Sequence, residues 1–184
     1  ATYYGGTAWD ELGVDGRGQS LVINPLNGKV FLTGFTYSSE LPGLWNTKIG
    51  GTDAFFVGLS PTLDEDGDAG AYLGGPGDDY ASAMAIKAVD SSDIDYYVVG
   101  RTKSTEDFSP DLSGGFYPTY RGGNFDTFVA RFNINSAPLG GTYLGGESDD
   151  RGYGIAISPI DQRVWVTGET NSTDFPSYPF GQGD

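Results

Sequence analysis

The sequence predicts an all-β protein built from tandem units of four antiparallel strands, and three observations support this. The 184 residues include 30 glycines and 10 prolines with 3 Trp, 12 Tyr and 11 Phe, as expected for many turns between short aromatic-rich strands. Three sequence markers recur in the same order, about every 70 residues. Between the markers, short runs alternate large apolar residues with small or polar ones, which is the period of a strand.

The markers indicate tandem duplication with small insertions and deletions in the loops. The first, Tyr-x-Gly-Gly, lies at residues 3–6, 72–75 and 143–146. The second, x-Gly-x-Thr, lies at 33–36, 99–102 and 167–170. The third begins with Gly-Gly, contains Asp and Phe, and lies at 50–57 and 122–129.

Each unit contains four runs that are typical of strands. The first run lies at 83–86 and 154–157, the second at 30–33, 96–99 and 164–167, and the third at 54–57 and 127–132; the fourth is the Tyr-x-Gly-Gly marker. The alternation predicts that Ile155 and Ile157 are buried, and that Phe55 or Phe56 and Phe128 pack against the sheets. Turn sequences at 24–28, which contain Asn-Gly, and at 158–161 separate the first two runs.

Four antiparallel strands in a tandem unit, with Gly and aromatic residues at fixed places, describe a blade of a β-propeller. The stretches at 143–157 and 164–176, with Asp149-Asp150 and Asp174-Phe175-Pro176, closely resemble the SBBP family of β-propeller repeats. The resemblance covers essentially the whole chain, is strongest in the third copy and is weakest in the first. It implies a secreted or cell-surface repeat protein of a microbe.

The repeats divide the chain into three segments. Residues 1–70 contain a strand that completes a preceding blade and the first repeat, residues 71–140 the second repeat, and residues 141–184 a partial third. The total is about two and a half blades, an incomplete propeller, since closed propellers need about four to eight. We therefore expect further blades of the same chain, or other subunits, to complete the structure. The expected contacts concentrate on residues 1–20 and 153–184, and the isolated segment is not expected to be a stable monomer.

Composition excludes several classes of function. Lys and Arg number 10 against 25 Asp and Glu, so the net charge of −15 disfavours nucleic acid and anionic membrane surfaces as partners. The absence of Cys and His excludes thiol nucleophiles, the usual zinc sites and His-based catalytic triads within this chain. Paired carboxylates can hydrolyse glycosidic bonds, but among so many acidic residues a suitable pair is nearly always available by chance. Such a pair is therefore no evidence for an enzyme, and we predict no enzymatic activity.

The segment 63–68 is a candidate calcium site. Asp64, Asp66 and Asp68 alternate around Gly67 where the third and fourth runs meet, and hard cations prefer several oxygens on a tight loop. The segment lacks the later glutamate and flanking helices of an EF-hand. A solvated acidic turn is the alternative interpretation, and no other cofactor is expected.

Two recurring features have both a structural and a functional interpretation. The pairs Asp78-Asp79 and Asp149-Asp150 either form a ring of cation or substrate ligands, or one Asp of each pair caps the Gly-rich turn. We favour capping, because residues that a fold demands recur in every unit. Phe108 and Phe175 begin a long loop and are expected to pin it to the sheet, whereas exposed aromatic residues of the loops could bind glycans.

Asn171-Ser172-Thr173 is a sequon for N-glycosylation at Asn171, relevant to a eukaryotic secretory source.

Regular repetition without a unique polar cluster favours a structural function. We predict a non-enzymatic extracellular or cell-surface scaffold module in a larger chain or in an assembly such as a filament or layer. The alternative is a β-propeller module that binds glycans or another ligand.

Overall fold

The chain is all-β in the computed structural model, which describes residues 4–62, 65–90, 93–133 and 135–176, with the side chains of 65–69 left undescribed. These parts contain no helix, and therefore none long and apolar enough to cross a membrane. The strands are β1 (Asp10–Leu12), β2 (Leu21–Ile23), β3 (Val30–Thr36), β4 (Asp53–Leu59), β5 (Glu65–Leu73), β6 (Asp79–Ala88), β7 (Ile94–Thr102), β8 (Asp126–Asn133), β9 (Pro138–Leu144), β10 (Asp150–Ile157) and β11 (Val164–Thr170).

The strands form three antiparallel sheets in chain order. In the first sheet, β3 pairs with both β1 and β2 on one side and with β4 on the other, and β5 follows β4. The second sheet has the order β6-β7-β8-β9, and the third consists of β10 and β11. The predicted all-β, antiparallel fold is confirmed, and no closed barrel forms among the described strands.

The first strand of every unit is interrupted at the same place. In the second sheet the register shifts between Ala81 and Ala83, and in the third sheet it shifts between Gly152 and Gly154. One residue therefore bulges from the ladder at each place. In the first sheet, residues 13–20 are inserted at this position and divide the strand into β1 and β2.

The first two sheets pack face to face around the main apolar core. Phe31 of β3 stacks on Tyr96 of β7 with ring centroids 4.0 Å apart, and Phe56 of β4 lies 4.3 Å from Phe132 of β8. These residues belong to a cluster that links the first two sheets. The opposite face of the first sheet is covered by its own loops, where Leu41 packs with Phe55 and its neighbours. Sequence-predicted burial of Phe55, Phe56 and Phe128 is confirmed.

Ile155 and Ile157 are only half-buried, although the alternation predicts that they are buried. Both lie on β10, opposite Val166 and Val164 of β11. No further strand pairs with β11 among the described residues. The third sheet therefore has only two strands among the described residues, and the two isoleucines retain part of their solvent exposure.

Residues 13–20 contact the other two sheets of the same chain, although residues 15–19 remain exposed. The expected contacts of residues 1–20 with other molecules stay a prediction. A Cβ placed on Gly18, whose φ is +80°, would lie 2.6 Å from the carbonyl oxygen of Ser82 in the second sheet. It would also lie 2.4 Å from the carbonyl oxygen of Tyr153 in the third sheet. The Arg17 guanidinium stacks over the Tyr153 ring at 4.8 Å. The insertion therefore connects all three sheets.

Candidate functional site

In the part of the chain that the structure describes, the outer edge of the third sheet has no partner strand. Strand β11 pairs there with β10 only, whereas its counterparts β3 and β7 each have strands on both sides. Trp165 on this strand is 50% exposed. An unpaired edge presents a row of free N–H and C=O groups, which is a template for another strand.

An apolar cleft lies beside this edge, between the second and third sheets. Its volume is about 660 Å³. The second sheet and its loop contribute Tyr97, Phe116, Tyr117, Val129, Thr142 and Leu144, and β11 contributes Val164 and Val166. Phe116 is 92% exposed at its rim.

The repeat identifies which contact the cleft lacks. With the glycines Gly34 and Gly100 of the second marker aligned, Phe31 corresponds to Tyr97, and alignment of the third marker makes Phe56 correspond to Val129. Between the first two sheets, Phe56 packs on Phe132 of the following sheet. Val129 instead lines the cleft. A strand of the β8 type, paired with β11, would place the counterpart of Phe132 over Val129.

One aspartate in each unit caps the Gly-Gly turn. The backbone N–H groups of Gly6, Gly75 and Gly146 donate to the carboxylates of Asp10, Asp79 and Asp150 at 2.7, 2.9 and 2.7 Å. The hydroxyl groups of Ser38, Ser104 and Ser172 donate to the same three carboxylates. The interpretation that one residue of each Asp-Asp pair caps a turn is therefore confirmed for Asp79 and Asp150.

The other residue of each pair lies nearer to solvent. Asp78 forms an ion pair with Lys103 at 2.9 Å. Asp149 accepts a hydrogen bond from the Asn124 backbone N–H at 2.6 Å and pairs with Arg151 at 2.9 Å. The Asn124 bond is the main cause that holds the pKa of Asp149 below its ordinary value. These contacts account for both carboxylates without a ligand.

A second set of buried aspartates begins the third strand of the first two units. Asp53 accepts hydrogen bonds from the backbone N–H groups of Ile49 and Gly50, both at 2.9 Å. Asp126 accepts one from Arg121 at 2.6 Å. Both lie in the third sequence marker, and sequence reasoning did not single them out. Their recurrence at one place in the marker was the available signal.

Each of these aspartates lies near the capping aspartate of the next sheet. A Cβ on Gly74 would lie 3.1 Å from the carboxyl carbon of Asp79 and 3.2 Å from that of Asp53. The backbone N–H of Asp79 also donates to the Thr52 carbonyl oxygen, and that of Asp150 to the Phe125 carbonyl oxygen. Backbone hydrogen bonds beside Asp53 and Asp126 therefore join successive sheets.

Burial changes the protonation of these groups. It raises the pKa of Asp79 to about 6 and that of Asp126 to about 7, and it also raises the pKa of Asp53. The charge of Asp150 adds to the increase at Asp126. The cause is that a charged carboxylate loses its hydration in the interior, more so beside a second carboxylate.

A polar groove of about 560 Å³ lies along the long loop after β7. Glu106, Asp107, Asp111 and the Tyr143 side chain are among its lining residues. Phe108 is buried against Phe128, with ring centroids 5.0 Å apart, so the prediction that it pins the loop to the sheet is confirmed.

The predicted calcium and glycosylation sites lie apart from the cleft and the turns described above. Asp64 lies outside the described residues, and Asp66 and Asp68 belong to the backbone of β5, where their side chains are not described. Among the described residues, no group of three or more Asp, Glu, Cys or His side chains is arranged to hold a metal. Asn171 is exposed just after β11, and its backbone N–H donates to the Asp149 carbonyl oxygen at 2.9 Å.

Comparison with known proteins gives no relative from which a function could be transferred: no family model matches the chain, and no curated protein is significantly similar to it.

Proposed function

We propose that the chain is a non-enzymatic structural module of the SBBP type, whose stacked sheets act as β-propeller-type blades in an extracellular or cell-surface assembly. Its function is to extend a rigid stack of sheets by accepting a further strand and the next sheet. The partners are further blades of the same protein or other copies of it.

The single observation that carries this proposal is the edge of β11, which has no partner strand within residues 4–176 as far as they are described, beside the apolar cleft. Val164 and Val166 lie on one wall and Val129 on the other, with about 660 Å³ between them. Monomeric proteins rarely leave a contiguous apolar surface beside an unpaired strand, because both promote association. The occupant that fits is an antiparallel strand of the β8 type, with aromatic residues on one face.

Two further properties agree with a scaffold. The aspartates that cap the Gly-Gly turns recur in each unit and accept hydrogen bonds from backbone N–H groups and serine hydroxyls, as structural residues do. The net charge of −15 favours solubility of a large surface protein and disfavours unspecific contacts with anionic polymers.

A peptide with the sequence of residues 125–133, which covers β8, tests the proposal. Added to the purified chain, it should pair with β11 and slow hydrogen exchange at the outward-facing amides of Val164–Thr170 by about tenfold or more. A scrambled peptide of the same composition is the control. Unchanged exchange in β11 with both peptides would contradict the proposal.

A matched pair of variants shows whether the cleft is responsible for peptide binding and self-association. Val166→Asp places a charge in the apolar wall and should abolish peptide binding and any self-association seen by light scattering. Ile160→Asp makes the same change at a turn residue that is 94% exposed, and should leave both unchanged. Equal behaviour of the two variants would mean that the cleft has no role.

The polar groove favours glycan binding as a second candidate function. Carboxylates, hydroxyls and an aromatic ring converge there, as in many sugar-binding sites. A glycan array with wild type and with Asp111→Ala would test this, since loss of a glycan signal in the variant is expected only if the groove is the site.

A further inference from the structure

The first sheet has an apolar surface at the beginning of the stack of sheets. Residues opposite each other in a ladder share a face, so Leu21 and Ile23 of β2 lie on the same face as Leu32 and Val30 of β3. This face is turned away from the second sheet, since Leu32 belongs to the core cluster on that side. The loops that cover it elsewhere leave β2 open, and Leu21 is 43% and Ile23 57% exposed. Leu21, Ile23 and Val30 form what we call the leading face.

The third sheet has an apolar surface at the end of the stack. Val164 and Val166 of β11 line the cleft toward the second sheet. Because side chains alternate along a strand, Trp165 between them points the other way, together with its ladder partner Ala156. Both Trp165 and Ala156 are exposed. We call these two residues the trailing face.

The repeat shows that the two faces are halves of one kind of contact. With the glycines of the second marker aligned, Trp165 corresponds to Phe31, and Val30 corresponds to Tyr96. Between the first two sheets, Phe31 stacks on Tyr96 with ring centroids 4.0 Å apart. In the described part of the chain, Trp165 is thus the half of this contact without a following sheet, and Val30 is the half without a preceding one.

The burial of the counterparts shows what such a contact covers. By position in the ladders, Met84 is the counterpart of Leu21, and Val22 is the counterpart of Ala156. Met84 and Val22 both belong to the core between the first two sheets and are 1% and 6% exposed. The same two positions are open at the ends of the stack, although they also carry apolar residues. Contiguous exposed apolar residues of this kind mark an interaction surface.

We propose that the trailing face of one copy of the chain stacks on the leading face of a second copy, with Trp165 seated against Val30 and Ile23. This inference rests on the proposed function, because it assumes that the sheets stack as blades, and it names the partner. The two faces consist of different residues, so the interface is heterologous. Each copy that joins therefore leaves one face of each kind free at the ends of the assembly, and the copies associate head to tail.

A second copy is the partner that the two faces favour. The trailing face needs a surface with large apolar residues at the positions of Met84 and Tyr96, and the leading face supplies Leu21 and Val30 at these positions. The extent of the two faces also agrees. The exposed part of the leading face lies on β2 and β3, and the third sheet offers their counterparts β10 and β11.

The charge of the chain sets the strength of this association. Each copy carries a net charge of −15, so two copies repel each other, whereas the residues of both faces are uncharged. Two strands on either side form a contact below the standard size of a stable interface, so we expect micromolar to millimolar affinity. Salt screens the repulsion and leaves the apolar contact intact, so added NaCl should strengthen the association.

Sedimentation of the purified chain measures the association. The wild type should form species larger than a dimer as its concentration rises from micromolar to millimolar. Trp165→Asp and Ile23→Asp should each weaken the association by about thirtyfold or more, because each places a charge at the centre of the contact. Trp165→Phe should retain most of it, since Phe31 fills the same position in the first sheet. Val89→Asp is the matched control, because Val89 is 56% exposed in the turn after β6, and it should associate like the wild type.

A mixture of the two Asp variants tests the head-to-tail arrangement. Trp165→Asp keeps an intact leading face, and Ile23→Asp keeps an intact trailing face. An equimolar mixture should therefore form a one-to-one dimer that does not grow further, although each variant alone is a monomer. An isologous dimer, in which both copies use the same face, does not give this result.

Three results would overturn the proposal. A wild type that stays monomeric up to millimolar concentration would mean that a second copy does not cover the two faces. A mixture of the variants that stays monomeric would mean that the faces do not bind each other. Either Asp variant that associates alone as the wild type does would place the contact elsewhere on the molecule.

The failure of this inference can be distinguished from the failure of the proposed function. Ile23→Asp changes the first sheet and leaves the cleft intact, so the β8 peptide should still slow hydrogen exchange in β11 of this variant. Slowed exchange without a dimer in the mixture would retain the edge of β11 as an acceptor and exclude the second copy. A dimer without slowed exchange would do the reverse. Val166→Asp is not suitable here, because a charge in the cleft also loosens β11, which carries Trp165.

Discussion

The backbone N–H of Met84 donates a 2.9 Å hydrogen bond to the carbonyl oxygen of Gln19. This bond joins the insertion of the first unit to the first strand of the second sheet. Together with the contacts of Gly18 to Ser82 and Tyr153, it fixes residues 13–20 across the inner strands of all three sheets. The first sheet therefore contacts the third sheet as well as the second, through this insertion.

Gly18→Ala should destabilise the chain by about 3 kcal/mol, because it combines a positive φ with a Cβ in contact with two carbonyl oxygens. Gly16→Ala is the control in the same loop. Gly16 also has a positive φ, but its Cβ would meet nothing within 4 Å, so we expect a cost of about 1 kcal/mol. Urea unfolding measures both. Equal costs would show that the insertion does not pack tightly on the sheets.

Phe56→Ala should cost about 3 to 5 kcal/mol, since the fully buried ring packs on Phe132 across the first interface between sheets. Phe116→Ala makes the same change at a residue that is 92% exposed, and should leave the stability nearly unchanged. The second variant should still weaken binding of the β8 peptide, because Phe116 lines the cleft. A large loss of stability in Phe116→Ala would contradict the arrangement of the cleft.

The stability of the chain should fall as the pH rises from about 4.5 to 8. The pKa values of Asp79 and Asp126, about 6 and about 7, lie above the ordinary value of 3.8. The folded chain therefore binds protons more tightly than the unfolded chain, and this stabilisation is lost as the pH passes 6 and 7. Each unit of pKa shift corresponds to about 1.4 kcal/mol, so the two shifts together set an upper limit of about 7 kcal/mol.

Asp126→Asn should flatten this dependence and be more stable than the wild type at pH 8, because no second buried charge forms beside Asp150. Unfolding in urea at several pH values would measure the effect, with Asp107→Asn as the control. A wild-type stability that rises between pH 4.5 and 8 would contradict the prediction.

Calcium binding at Asp64, Asp66 and Asp68 remains a prediction from the sequence. Calorimetry should give a binding heat with the wild type and a smaller one with Asp66→Ala. Equal heats from the two proteins would exclude this segment as the site.

The sequence was sufficient to predict the parts of the fold that recur. The Tyr-x-Gly-Gly and x-Gly-x-Thr markers located the strands, and the repeated Asp79 and Asp150 indicated a capped turn. The packing of residues 13–20 was not predictable, because the insertion has no counterpart in the other units. The approach of Asp53 to Asp79 was also missed, since it depends on the spacing between two sheets, which local periodicity does not determine.

The position of residues 13–20 suggests how such a protein can diversify. The other two units already carry a one-residue bulge at this place, so the ladder is interrupted there before any insertion. Adding residues elsewhere in a strand would shift its register and turn its apolar face to solvent. At the bulge, the strands on both sides keep their partners, as β1 and β2 keep β3. Duplicated units can therefore gain new loops at this point and evolve separately without losing the sheet.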